Sequence, residues 1–264
     1  MKFSKANAKI EALANHPTLS TYLEGKRKVY SFDLLSGYSC PFAEKCLSKA
    51  VLVDGRRKIK DGPKTQFRCF SASQEVQYTN VYNSRKANFD ALRKLQTSDE
   101  MRDAIQAVMP KNTGIVRIHV AGDFFNAKYF NAWIKIAQQN PDVLFYAYTK
   151  SLKFWLHTTQ EIPYNLVLTA SRGGRDDNLI SKHNLRESVV VYSEAEAAKL
   201  GLDIDHDDSH AADPTNRHSD FALLIHGTQP KGSEAADALK LLKKNKVKHS
   251  YSRKKSLTLE ESMV

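Results

Sequence analysis

Apolar residues along this chain fall into two alternating spacings. Runs with apolar side chains at consecutive positions give way to stretches in which they recur every three or four residues. Val29 to Gly37 is an apolar-rich run that reads as a strand entering a glycine turn. Asn80 to Met109 carries helical spacing (Val81, Phe89, Leu92, Leu95, then Met101, Ile105, Val108) with a break at Thr97-Ser98. Strand-like runs then begin at Ile115, Val143, Asn165, Ser188 and Phe221. The segments between and after them read as helices at 127–139, from Leu152, at 176–184, at 194–200 and at 233–245. Six βα units in sequence predict an α/β fold with a parallel sheet and right-handed crossovers. Strands apolar on both faces are those covered on both sides. The expected architecture is a TIM-barrel-like (β/α) barrel, complete or partial. A doubly wound open sheet is the alternative, without dinucleotide binding, since no G-x-G-x-x-G follows the first strand. The expected organisation is one domain over 1–245, a cysteine-bearing insertion at about 37–75, and a basic tail over 246–264.

Composition narrows the class. With 41% hydrophobic residues in 264, the chain can bury a core. The N-terminus has no apolar signal-peptide core and no run is long enough for a membrane span, so a host cytoplasm with reduced thiols and no membrane partner is expected. The net charge of +11 is concentrated, because Lys240 to Lys255 holds eight Lys/Arg and no acid. Nucleic acid is a possible partner of that tail, yet a solvated surface is favoured because interleaved aromatics are nearly absent.

Candidate chemistry begins with the cysteines. The chain has three, Cys40 and Cys46 as C-x5-C and then Cys69, all behind the first strand. An odd number cannot close as intramolecular disulfides, and clustered thiols select soft metals. Cys40 and Cys46 lie in a turn-rich loop, and Cys69 sits beside Arg68, whose charge would stabilise a thiolate. Further polar groups fall where strands end: Asp123, Tyr148 with Thr149 and Lys150, Arg172 and Arg175, Ser193, and His226. Asp123 is either a helix cap or a site residue. Ser171-Arg-Gly-Gly-Arg-Asp-Asp177 is either an anion-binding turn or a glycine turn capped by Asp176 or Asp177. The stretch Leu202 to Asp213 lacks the glycine and glutamate of a calcium loop and reads as a solvated acidic loop; His206, His210 and His218 are not assigned to metal.

The motifs Ser39-Cys-Pro-Phe-Ala-Glu-Lys-Cys46, Val116-Arg-Ile-His-Val-Ala-Gly-Asp-Phe-Phe125, Phe145-Tyr-Ala-Tyr-Thr-Lys150 and Ile225-His-Gly-Thr228 resemble the phage-encoded gene product 88 family over about residues 32–244. The resemblance implies a bacteriophage protein with a TIM-barrel-like fold and a cysteine-held iron–sulfur cluster, its ligands Cys40, Cys46 and Cys69. A looser analogy to radical SAM barrels also exists. This chain departs from their C-x3-C-x2-C spacing and lacks their Gly-Gly-Glu, so S-adenosylmethionine has no motif behind it. Three thiols imply a [4Fe-4S] centre with one iron left to a non-cysteine ligand, or a [3Fe-4S] centre. Asp123, Tyr148, Arg172, Arg175 and His226 are the candidates for binding a small anionic ligand near that iron. Two rivals stand beside this expectation. One is a zinc-stabilised Cys3His module that binds nucleic acid; the other is an electron carrier or redox sensor with no substrate.

Overall fold

A computed structural model describes residues 1–247. The strands are β1 (Ser4–Lys5), β2 (Lys28–Phe32), β3 (Ser48–Val53), β4 (Arg56–Asp61), β5 (Thr113–Ile118), β6 (Leu144–Thr149), β7 (Leu166–Ser171), β8 (Glu187–Val191), β9 (Asp203–Ile204) and β10 (Phe221–Leu224). The helices are α1 (Ala8–Glu11), α2 (Pro17–Ser20), α3 (Phe70–Gln77), α4 (Thr79–Leu92), α5 (Ser98–Gln106), α6 (Ala127–Gln139), α7 (Leu152–His157), α8 (Asn178–Lys182), α9 (Glu194–Leu200), α10 (Ser209–Ala212) and α11 (Glu234–Lys244). Eight strands form one sheet in the order β1-β2-β5-β6-β7-β8-β10-β9, parallel throughout except for β1.

The expected parallel α/β sheet is present, but a closed barrel is not. The two strands that would have to meet to close a ring are β2 and β10. The free edge of β2 is taken by antiparallel β1, and that of β10 by two-residue β9. The open-sheet alternative fits, with the strands following one another in chain order and no reversal between β2 and β10.

The two faces of the sheet are covered differently. On the outer face Phe32, Val116, Ile118, Phe145, Leu166 and Leu168 pack against Met101 and Ile105 of α5 and Phe130, Trp133, Ile134 and Ala137 of α6. Farther along, Val191, Ala222 and Leu224 meet Ala197 of α9 and Leu242 of α11. On the inner face Val29, Ile115, Leu144, Tyr146, Val167 and Phe221 are covered by Ile10, Leu13 and Leu19 of the N-terminal segment and Ala211 and Ala212 of α10. That segment and α10 fill the concavity which barrel closure would otherwise enclose.

β2 and β5 end earlier than their apolar runs suggest. The Asp33 Oδ1 accepts from the amides of Val120 (2.7 Å) and Ala121 (3.3 Å), and the amide of Leu34 donates to the Ala121 carbonyl. A carboxylate thus replaces the backbone ladder and splays the chain into the loops that carry the candidate site. Between Cys46 and Cys69 stands the antiparallel hairpin β3–β4, turned at Asp54-Gly55 with both residues at positive φ. No helix among the described residues is long and apolar enough to cross a membrane.

Candidate functional site

Three chain segments bring the thiols to the strand-exit end of the sheet. After β2 the chain turns at Gly37 (φ 70°), where a Cβ would lie 2.5 Å from the Ser48 carbonyl oxygen, so the turn requires glycine. The Gly37 amide donates to the Cys40 Sγ at 3.3 Å. Gly122 leaves room for the same loop, since a Cβ there would meet the Ser39 Oγ at 2.6 Å. The stretch carrying Cys46 docks on the exit of β7. The amides of Glu44 and Lys45 donate to the Gly173 carbonyl, and the Arg175 amide donates to the Phe42 carbonyl. Cys69 immediately precedes α3, held by the Arg68 amide donating to the Gln229 Oε1 at 2.7 Å. The Arg68 guanidinium pairs with Asp61, which corrects its expected role beside the thiol.

All three thiols are free and half-buried. Burial pushes the Cys40 thiol well up from its ordinary value, and the charges of Asp123, Cys69 and Cys46 push it further. The Cys46 thiol is also raised by burial; Lys150 opposes the rise, while Cys69 and Asp123 add to it. Cys40 and Cys46 thus feel Cys69 and Asp123, and Cys46 feels Lys150, so these groups share a neighbourhood at the strand-exit end. Two thiols raised above their ordinary value are protonated at neutral pH, so a metal taken up there must displace protons.

The other predicted residues divide. Asp123 belongs to the pocket, yet its carboxylate is engaged. It accepts from the Thr149 Oγ1 (2.6 Å), the Lys150 amide (2.8 Å) and its neighbour Phe124's amide (2.7 Å). The cap of α6 is Asn126, not Asp123. Tyr148 faces the inner side of the sheet, donating to the Asp205 Oδ2 at 3.2 Å under the Arg117 guanidinium. His226 stacks on Phe70, the residue after Cys69, with ring centroids 5.0 Å apart. Burial, then the Lys9 and Arg117 charges, lower its pKa to about 4, so it is neutral. Arg172 makes a two-pronged pair with Glu187, and Arg175 is exposed. The anion-binding reading of the glycine turn is corrected as well. The amides of Gly173 and Gly174 both donate to the Asp177 carboxylate at 2.8 Å, so the turn already holds its own anion. His119 turns into the aromatic layer under α6, 2.8 Å from the Tyr129 hydroxyl.

Two features go further than the sequence reading: the anchoring of Lys150, already a candidate at the end of its strand, and the burial of the acidic loop. Lys150 is buried and donates to the Ser171 carbonyl, the Ser171 Oγ and the Arg172 carbonyl at 2.7–3.1 Å, and its charge acts on Cys46. Its position directly after β6 was the available signal. The acidic loop expected to be solvated is in fact anchored in the core. Asp208 is fully buried, contacting the Lys9 Nζ at 2.7 Å, the Arg117 guanidinium and the Tyr146 hydroxyl. Composition could not reveal this, because the cations that hold the loop come from α1 and β5.

The donor set suits a thiolate-held group: soft ligands, one pocket, an N–H donor on one sulfur and an ammonium beside another. Among the described residues no group of three or more His, Cys, Asp or Glu side chains is placed to hold a metal ion.

Comparison with known proteins agrees with the motifs. The family model described as "Gene product 88" matches residues 1–245, and the chain belongs to that family. It is similar to the "Gene 88 protein" of Mycobacterium phage L5, at 29% identity over 117 residues, covering 43% of this chain and 44% of that protein. The match therefore spans less than half of that relative. No solved structure matches the chain.

Proposed function

We propose that this member of the Gene product 88 family is a bacteriophage iron–sulfur protein of the host cytoplasm, with Cys40, Cys46 and Cys69 as the cluster ligands. The observation that supports the reading is that all three free thiols lie in segments at the strand-exit end of the parallel sheet, and that Cys40 and Cys46 each feel Cys69 and Asp123 electrostatically. Three thiolates serve three irons of a [4Fe-4S] centre, leaving the fourth to a non-cysteine ligand, or hold a [3Fe-4S] centre. When bound, such a cluster supplies one-electron chemistry. The chain's own part is to hold and tune it. The Gly37 amide hydrogen-bonds the Cys40 sulfur, and the Lys150 charge favours a thiolate at Cys46.

An electron-carrier or sensor role is favoured over a substrate-binding one. Arg172 is paired, the Gly173-Gly174 amides are filled by Asp177, and all three Lys150 hydrogens are donated within the protein. Protein purified without oxygen is expected to be brown and to contain iron and acid-labile sulfide in near-equal amounts. Single Ser replacements of Cys40, Cys46 or Cys69 should largely remove both. Stoichiometric zinc without sulfide would overturn the reading in favour of a structural zinc module.

A further inference from the structure

The hairpin between Cys46 and Cys69 has a face that nothing so far explains. Residues 45–68 contain eight Lys/Arg and two acids, a net +6. With the +8 of Lys240–Lys255 set aside, the rest of the chain is slightly acidic, so this segment is the main cationic feature of the described residues. Its register sorts the side chains. Ser48↔Asp61, Ala50↔Ile59 and Leu52↔Arg57 share one face, which carries the buried Ser48 and Ala50, and α3 packs against the hairpin. The opposite face pairs Lys49↔Lys60, Val51↔Lys58 and Val53↔Arg56, with Arg56, Lys58 and Lys60 exposed.

Lys49 opposite Lys60 is a direct cross-strand like-charge pair, which destabilises a ladder. No carboxylate among the described residues pairs with Lys49, Arg56, Lys58 or Lys60, whereas Lys64 and Arg68 outside the strands are both paired. The segment therefore neutralises its flanking cations and leaves the outward face uncompensated. Alternate residues on one strand stand about 6.8 Å apart, a spacing commensurate with successive phosphates of a polynucleotide. Aromatic surface accompanies the charge. Tyr38 is 41% exposed beneath the Lys49 ammonium.

We infer that the outward face of the β3–β4 hairpin is a binding surface for the phosphate backbone of a polynucleotide, contacted by Lys49, Arg56, Lys58 and Lys60. The inference is independent of the cluster reading, because it uses none of the thiols. A two-stranded ribbon is narrow enough to enter a duplex major groove, and the exposed Tyr38 beside the Lys49 cation suits an unstacked base. Duplex and single strand share the phosphate chemistry, and the test separates them.

The full-length protein is titrated against labelled 25-mer duplex and single-stranded DNA across a salt series. The comparison variant replaces Lys49, Arg56, Lys58 and Lys60 by Gln. A control loses equal charge from four scattered exposed lysines, Lys111, Lys128, Lys182 and Lys199. On duplex, the hairpin variant should flatten the log–log salt slope by about 3–4, from roughly 0.9 per phosphate contact; a single strand gives about 3. The control should change it little, and a chain ending at Asn245 should retain the difference. Whichever DNA shows the change is the form bound. If the fourfold variant fails to fold, Lys58→Gln alone should lower the slope by about 1. Equal effects of hairpin and control variants would overturn the inference. So would absence of binding at 50 mM salt, or binding confined to phosphatidylserine vesicles through the exposed tip residue Leu52.

Discussion

The Asp208 cluster and the thiol pocket are both buried polar assemblies built on the same parallel sheet, and they differ in how their polar groups are satisfied. Around Asp208 the protein pairs its charges internally, with the Arg186 Nε as one buried donor left over. Lys9, Arg117 and Tyr146 converge on one carboxylate, and Arg186 donates to the carbonyls of Leu168, His210, Ala211 and Asn216 and to the Thr169 hydroxyl. At the thiol pocket the backbone is fixed with equal care, by the Gly173 carbonyl, Gln229 and Asp33, while the sulfurs themselves are left half-buried with the Gly37 amide as the donor to Cys40. A self-satisfied network is what stability requires. Ligand atoms held in place without being consumed are what binding requires. On the proposed reading, the first assembly serves stability and the second holds the cluster.

The largest expected effect breaks the first assembly. Asp208→Ala strands Arg117 and Lys9 in the interior without their counter-charge, which costs about 3–5 kcal/mol. For a chain of this size the melting temperature should fall by roughly 10 °C. Bound iron per folded molecule should be unchanged. Cys40→Ser should do the reverse, removing iron while shifting the metal-free unfolding free energy by less than about 1 kcal/mol. If the two variants instead lose iron and stability together, the division of labour is wrong.

Acid should separate the regions next. Burial, reinforced by Arg117, lowers the His119 pKa to about 3, and His226 lies at about 4, against about 6.5 in an unfolded chain. Below about pH 6.5 the unfolded chain binds protons that the folded protein excludes. Stability must therefore fall with pH, by up to about 1.4 kcal/mol per unit for each histidine, until the folded values are reached. Asp208 acts in a lower window. Arg117 and Lys9 outweigh its burial and hold it at about 2, so its contribution is complete above about pH 4 and is lost between there and pH 2. Urea unfolding from pH 7.5 to 4.5 should show the histidine slope, and His119→Gln, able to keep a hydrogen bond to Tyr129, should reduce it. An unchanged slope in that variant would exclude His119 as a source.

These contrasts also mark what the sequence could reveal. Repeating apolar runs predicted the parallel strands, and helical spacing predicted α6 and α9 to the residue, because local pattern and burial agree there. The C-x5-C loop and Cys69 stood out in the sequence because soft donors are rare, and all three prove to be free thiols. The open edge was not legible. It depends on two-residue strands, β1 and β9, too short to leave a pattern, and on an N-terminal segment whose core contacts Ile10, Leu13 and Leu19 sit in irregular short turns. The acidic loop misled because its composition is that of a solvated segment, while its partners lie in distant elements. The hairpin did carry a signal, Asp54-Gly55 between two six-residue runs, of the kind that specifies a tight turn.

The smallest effect tests whether Lys150 belongs to the thiol pocket electrostatically or only anchors the exit of β7. Its ammonium donates to Ser171 and to the Arg172 carbonyl, which is an anchoring role, and it is also the charge that opposes the burial-driven rise of the Cys46 thiol. Lys150→Met keeps much of the side-chain volume and removes the charge. In metal-free protein the Cys46 thiol should then deprotonate at higher pH, because the term favouring thiolate is gone while burial, Cys69 and Asp123 still oppose it. Alkylation of Cys46 by iodoacetamide, followed peptide by peptide from pH 7 to 10, should be slower than in the parent chain and its midpoint displaced upward. Cys40 is shifted chiefly by burial and Asp123, with no lysine among its causes, and should keep its profile. If Cys46 instead reacts faster, the substitution has opened the loop docked on Gly173, and Lys150 serves the fold and not the sulfur.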